Sequence, residues 1–253
     1  MTAPQSNANL ARNPRQFKIA SLFLLIGIVA SILGVVRYEY ERRREREVAA
    51  APWKKLGAEV TFGHHTRIIG LKFGPGSSRK VSDDHLAEIS KLPHLVDLDF
   101  GGYLGGRSNI TGAGITRLKN LSELQSLNLD GTAVTASGLA ELKNLSQLQF
   151  LFLGSTGITG PDLVHLEGRS NLRGLWLNHT KINDADLVHL KKHLEGLVHL
   201  EVLHLAATDI TDAGLVHLEE MARLDVLRVN GPGVSIDAMR ALQKKLPNTE
   251  IWD

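Results

Sequence analysis

The sequence predicts an α/β solenoid, curved, with parallel strands on the concave face and helices on the convex face, preceded by a transmembrane helix. Three observations predict it. The phrase Leu-x-x-Leu-x-Leu-x-x-Thr recurs, mostly 24 residues apart: Leu124, Leu127, Leu129, Thr132; Leu148, Leu151, Leu153, Thr156; Leu172, Leu175, Leu177, Thr180; Leu200, Leu203, Leu205, Thr208. After each phrase a Leu-x-x-Leu pair has helical spacing, as at Leu139 and Leu142 or Leu187 and Leu190. Ahead of the repeats, Ile19 to Val36 carries no charged residue. No unit of this size buries its own apolar face, so the units must stack.

The elements follow in chain order. Residues 1–18 form a short N-terminal tail bearing Arg12, Arg15 and Lys18 and no acid. Residues 19–36 are long enough, at about 1.5 Å per residue, to reach roughly one bilayer core as a helix, with Lys18 and Arg37 snorkelling at its ends. An uncleaved anchor in the lipid bilayer is expected; a cleaved signal peptide is the other reading, weakened by the absence of a well-placed small-residue cleavage site. Basic residues flank both ends of the span, and the acid-free tail favours an N-terminus inside, with the repeats expected outside the cytoplasm. Residues 37–52 read as a charged helical stalk with Glu39/Arg43 and Arg43/Glu47 pairs, ended by Pro52 and Trp53. Residues 53–73 supply a cap and the first ladder strand: Ala58 to Phe62 and Arg67 to Phe73 are two short strands around Gly63-His64-His65.

From residue 74 to 253 the repeats continue. Stretches such as Gln125 to Leu129 have period two and form strands with their leucines inward. Degenerate units add Leu71, Leu98 and Leu227, and the step of 24 from Leu227 to Ile251 predicts a final edge strand, for eight ladder strands in all. Strands about 4.8 Å apart on one side and helices near 10 Å on the other force the array to curve. Thr159 and Asn183, each followed three residues later by an acid, are helix caps, and the repeated threonines are inward hydroxyls bonding turn backbone. Two units are long: extra residues fall in the glycine-rich stretch Tyr103 to Asn109, expected to be a projecting loop, and around Lys191 to Leu194, expected to be an added helical turn.

These repeats resemble the leucine-rich repeat family, in particular its ribonuclease-inhibitor-like branch. The extended phrase from Leu203 through Thr208, Ile210-Thr211-Asp212-Ala213-Gly214-Leu215 and Leu218 is similar to repeats of membrane-anchored planctomycete proteins. The resemblance covers about Leu71 to the C-terminus. It implies recognition of a protein or other ligand and names no partner.

Composition narrows the function. Net charge is +2, from 29 basic and 27 acidic residues, too little for the cationic field that nucleic acid requires. Cysteine is absent, so thiolate chemistry and Cys-ligated zinc are excluded. His165, His189 and His217 fall on successive helices about 10 Å apart, too far to share one ion; neither His189/His193 nor His64-His65 has a convincing third ligand, and no metal or cofactor is expected. Gly74-Pro75-Gly76 and Gly231-Pro232-Gly233 are turns, and hydrolase and phosphate-loop motifs are missing. Asp97 and Asp99 imitate a glycosidase dyad on an open face that offers nothing to separate their pKa values, so an enzyme is not expected.

What remains is the outward face. Its central column runs Lys72, Asp99, Asn128, Phe152, Trp176, His204, Arg228, Trp252, beside Gly70, Asp97, Ser126, Phe150, Gly174, Val202, Val226. Phe150, Phe152, Trp176, Val202 and His204 form an apolar patch, with Asp97 and Asp99 toward one end and Arg228 toward the other. The core has no need of outward aromatics, and enclosed aromatic anchors dominate binding energy. A protein partner is the expected occupant. A glycan stacked on the rings, with Gly174 leaving room over Trp176, is the second; a structural spacer without a discrete ligand is the alternative.

Overall fold

A computed structural model describes residues 14–74, 76–101, 108–194 and 199–252, and the side chains of these except 14–24, 65, 78, 189 and 191–194. The chain divides into two compact units, Met1–Val48 and Ala49–Asp253.

The described residues of the first unit are helical. Helix α1 spans Pro14–Lys55, and its end belongs to the second unit. Among the described residues no helix is long and apolar enough to cross a membrane. The transmembrane helix expected at 19–36 therefore has no counterpart among them, for a reason of length: 19–24 fall outside the described side chains, and Leu25 to Val36 alone is shorter than the roughly 20 residues a crossing needs. The apolar side chains from Leu25 to Val36 are nonetheless 46–62 % exposed.

The stalk does not stop at Pro52. Helix α1 carries that proline inside its last turn and continues to Lys55, because Trp53 is buried in the repeat core beside Ala50. The packing of an indole outweighs the one backbone hydrogen bond a proline forfeits. Leu56 and Gly57 close the helix, their N–H groups donating to Trp53 and Lys54 carbonyls at 3.0 and 2.8 Å. Gly57 sits at φ +85°, the left-handed conformation that helix ends favour.

The second unit carries one sheet of nine strands among the described residues, in chain order: β1 Ala58–Phe62, β2 Ile68–Phe73, β3 Asp97–Asp99, β4 Ser126–Asn128, β5 Phe150–Phe152, β6 Gly174–Trp176, β7 Val202–His204, β8 Val226–Arg228 and β9 Glu250–Trp252. Strand β1 runs antiparallel to β2 and covers its outer edge; β2 to β9 are all parallel. Register is strict. Leu71, Leu98, Leu127, Leu151, Leu175, Leu203 and Leu227 pair in one line, each fully buried, and Ile251 extends it half-exposed at the last edge.

Opposite the sheet lie short helical pieces. Helices α2 (Asp83–Ile89), α3 (Gly112–Ile115), α4 (Ala136–Glu141), α5 (Asp184–Leu194) and α6 (Ile236–Lys245) alternate with 3-10 segments at Thr116–Asn120, Leu142–Asn144, Gly160–Leu166 and Gly214–Leu218. The expected leucine pairs are all buried there, Leu163 with Leu166 and Leu215 with Leu218 included. In the 24-residue units from β4 to β6 and from β7 to β8 the segment is short and partly or wholly 3-10. A Leu-x-x-Leu pair, three residues apart, suits three residues per turn as well as 3.6. The 28-residue unit carries the 11-residue α-helix α5, and the last 24-residue unit the ten-residue α6. The glycine-rich stretch at 103–107 lies outside the described residues.

Units are also stitched by polar bonds. Thr132, Thr180 and Thr208 donate their hydroxyls to the carbonyls of Leu129, Leu177 and Leu205 at 2.6–2.7 Å, and Thr156 does the same to Leu153. Across units, Asp184 accepts from the Thr211 N–H and hydroxyl at 2.8 and 2.6 Å, and Asp83 and Asp212 grip Thr111 and Ser235 alike. Within one unit, Asp162 and Asp186 accept from the N–H groups of Thr159 and Asn183, completing the two expected caps.

Candidate interaction surface

Parallel register turns single residues into columns. Phe150 pairs with Gly174 and Gly174 with Val202; Phe152 pairs with Trp176, Trp176 with His204, and His204 with Arg228. Since strand side chains alternate, these columns face away from the leucine core, and adjacent members lie about 4.8 Å apart.

The aromatics assemble on one another. The Phe152 and Trp176 rings stack with centroids 4.0 Å apart and an interplanar angle of 16°; Phe150 meets Trp176 at 6.4 Å and 54°. A Cβ on Gly174 would stand 2.4 Å from the Trp176 ring. The indole therefore lies over Gly174, and the room expected above that glycine is filled by Trp176 itself. A bare glycine leaves a gap in an apolar patch, and the nearest large ring fills it, gaining the Phe152 stack.

Beyond the indole the face opens into a groove of about 360 Å³, lined by Trp176, Val202, His204, Val226, Arg228 and Trp252. Trp252, 55 % exposed on β9, is its far wall. Both His204 ring nitrogens are sheltered from solvent and have no hydrogen-bond partner among the described residues. Burial first, then the charges of Arg228 and His179, lowers the His204 pKa to about 4, so the imidazole is neutral near pH 7 with one donor and one acceptor unused. Arg228 is exposed at the groove mouth.

The opposite end of the face is acidic and polar. Asp97 is exposed; Asp99 is half-buried, accepts from the Gly101 N–H at 2.6 Å and lies 3.9 Å from Lys72 Nζ. Burial raises the Asp99 pKa, against the Gly101 hydrogen bond and the Lys72 charge. Beside it stands Asp130, which composition and spacing did not single out. It is buried, accepts from the Gly154 N–H at 2.6 Å, and burial raises its pKa to about 6. The signal was available: Asp130 follows the last leucine of its strand, a place held elsewhere by Gly101, Gly154, Asn178 and Asn230, small or amide residues. Trp252 and Val226 likewise stand in the columns and belong to the groove although the candidate set omitted them.

The sheet thus brings Phe150, Phe152, Trp176, Val202, His204 and Arg228 into one continuous strip and keeps Asp97 and Asp99 at its far end. Among the described residues no cluster of three or more His, Asp or Glu could hold a metal ion.

No protein-family model matches the chain, and no curated protein does. Solved structures similar to it include internalin C2 of Listeria monocytogenes, 23 % identical over 73 % of this chain and 70 % of that one, with a TM-score of 0.49. A leucine-rich repeat protein of Leptospira interrogans is 24 % identical over 66 % of this chain and 45 % of that one, at 0.45. Another Listeria internalin is 24 % identical over 58 % of this chain, at 0.43, and this chain spans only 37 % of its length. The fold stands on the ladder register of this chain alone.

Proposed function

We propose that the chain is a membrane-tethered recognition module of the leucine-rich repeat kind, in which the outward sheet face binds a protein partner. The observation that carries this is the continuous strip from Phe150 to Trp252: a stacked aromatic ridge, then a groove of about 360 Å³ with an unpartnered neutral imidazole and a cation at its mouth. Apolar area, unused hydrogen-bonding groups and one charge are what a protein segment satisfies together. A glycan suits the strip less, because Phe152 covers one face of the Trp176 indole and Gly174 lies beneath the ring.

Tethering is supported by the uncharged run from Ile19 to Val36 and by the bare apolar side chains of its described part. The anchor sits in a bacterial inner membrane with the repeats outside the cytoplasm. Alkaline carbonate extraction of the full chain tests the anchor, and release into the soluble fraction would refute it. Protease shaving of cells with a permeabilised outer membrane tests the side: the repeats are digested, and protection would place them inside.

The binding claim is tested by Phe152→Ala and Trp176→Ala together. The double variant keeps its circular dichroism and loses its partner. Unchanged capture of the same partner would transfer the function to the opposite surface, as a structural spacer requires.

A further inference from the structure

The outward face is balanced about its own centre. Among the described residues the parallel strands run from β2 to β9, and their midpoint lies between β5 and β6. That midpoint falls in the stack of Phe152 on Trp176, whose ring centroids are 4.0 Å apart. On either side of it the charge changes sign. Asp97 and Asp99 stand on β3, two strands before β5, and Arg228 stands on β8, two strands after β6. Asp97 and Arg228 are exposed, and neither forms an ion pair among the described residues; Asp99 lies 3.9 Å from Lys72 Nζ.

Such a face is complementary to itself. Sheets packed face to face keep their strands within about 30° of one another. A two-fold axis parallel to the strands, between β5 and β6, lays β5 of one copy on β6 of the other, β4 on β7, β3 on β8 and β2 on β9. Each outward column then faces its own counterpart. Asp99, with Asp97 beside it, meets Arg228 of the second copy, and the same contact recurs at the other end. Phe152 meets Trp176, and Phe150 meets Gly174, where the Trp176 indole supplies the ring surface. Lys72 meets Trp252, a 55 % exposed indole on which an ammonium group is attracted.

Size and shape agree with this. Two outward residues on each of eight parallel strands give sixteen a side before the strand ends are counted, close to the roughly 20–30 of a standard interface. A stack whose strands are closer together than its helices bends toward its sheet, so two such faces stand furthest apart at their centre. The large side chains of Phe150, Phe152 and Trp176 occupy that centre. An unrelated partner would have to bring a base to one end of the strip and an acid to the other. A second copy already carries both, in the right order and at the right separation.

We infer that the protein partner of this strip is a second copy of the chain, joined face to face across the stack of Phe152 and Trp176, with Asp97 and Asp99 of each copy answering Arg228 of the other. The inference rests on the strip being the binding face. A contact of this kind uses the same patch on both copies, so it closes on itself and yields a dimer. Reversing the charge at position 228 opposes pairing twice, once at each end, because like charges are then juxtaposed at both.

The chain has no cysteine, so an introduced thiol has no background. The test coexpresses two full-length chains, Ser126→Cys and Val202→Cys, and bridges them in intact cells with a short membrane-permeant bis-maleimide. The two-fold lays β4 on β7, so the mixed pair is bridged. Either variant alone is bridged about tenfold less, because its two thiols lie three strand spacings apart, roughly 14 Å. Arg228→Glu in both chains cuts the mixed bridge about tenfold, and adding Asp97→Arg restores it. Equal bridging in mixed and single-variant cells, or a mixed bridge that survives Arg228→Glu or is not recovered with Asp97→Arg, overturns the self-pairing. A photo-crosslinking residue at position 176 separates this from the reading beneath it. An adduct of two copies supports both; an adduct with a different protein and no mixed bridge overturns the self-pairing and keeps the strip as the binding face; no adduct and no bridge removes both.

Discussion

At the strand centres from β2 to β8 the inward residue is leucine every time, at 71, 98, 127, 151, 175, 203 and 227. One residue later, on the other face, the same strands carry Lys72, Asp99, Asn128, Phe152, Trp176, His204 and Arg228. The two faces share a backbone and a hydrogen-bond ladder, so their difference isolates the role of side chains. The inward face solves one packing problem repeatedly, and one residue suffices. The outward face has no packing problem, yet it gathers its aromatics on two adjacent strands and its acids at one end. In a stack, what repeats makes the fold and what does not repeat is free for recognition.

The contrast is most exposed to test at neighbouring residues of β5. Leu151→Ala opens a cavity in a fully buried line and costs about 3–5 kcal/mol in urea unfolding, whereas Phe152→Ala costs about 1 kcal/mol, mostly the lost indole stack. Equal losses would mean that the aromatic strip is a second core.

Gly174→Ala sharpens the point within the outward face. Its methyl group would meet the Trp176 ring 2.4 Å away, so the indole must swing off Phe152, at a cost of about 1–3 kcal/mol and with a red-shifted tryptophan emission. An unaltered spectrum would show that the ring does not lie over the glycine.

A smaller effect is electrostatic, and two groups oppose each other in it. The Asp130 pKa is raised to about 6 in the folded chain, so its contribution is complete below about pH 4 and is lost as pH rises through 6. The His204 pKa is lowered to about 4, so its contribution is complete above about 6.5 and is lost as pH falls through 4. Between pH 4 and 6.5 the two largely cancel. Asp130→Asn keeps an acceptor for the Gly154 N–H and installs the residue found at Asn178 and Asn230; it stabilises by about 1–2 kcal/mol at pH 7 and uncovers a stability that rises with pH. His204→Gln uncovers the reverse slope. Identical pH profiles for the two variants would refute both assignments. Smallest is Thr180→Val, which removes the bond to the Leu177 carbonyl and costs about 1 kcal/mol in the same urea assay.

Register was the legible part. Because strand side chains alternate strictly and leucines mark the inward set, the outward columns from Lys72 to Trp252 could be written down residue by residue, and the edge strand at Ile251 followed from spacing. Features set by packing between units were not legible. Pro52 inside a helix depends on the burial of Trp53, and the indole over Gly174 depends on a gap that only the assembled sheet creates. Leu-x-x-Leu spacing could not separate α from 3-10 turns, since both bury the pair. Asp130 lay between these extremes: it is an exception in a column of small or amide residues, and the exception is visible only once the column is aligned.

The central claim, that the unrepeated outward strip is where a protein partner sits, is tested most directly by a photo-crosslinking residue placed in intact cells at position 176 and, separately, at position 216, an exposed valine on the opposite side. The account predicts one protein adduct from position 176, abolished by Phe152→Ala, and none from position 216. The same adduct from position 216, with position 176 silent, would contradict it.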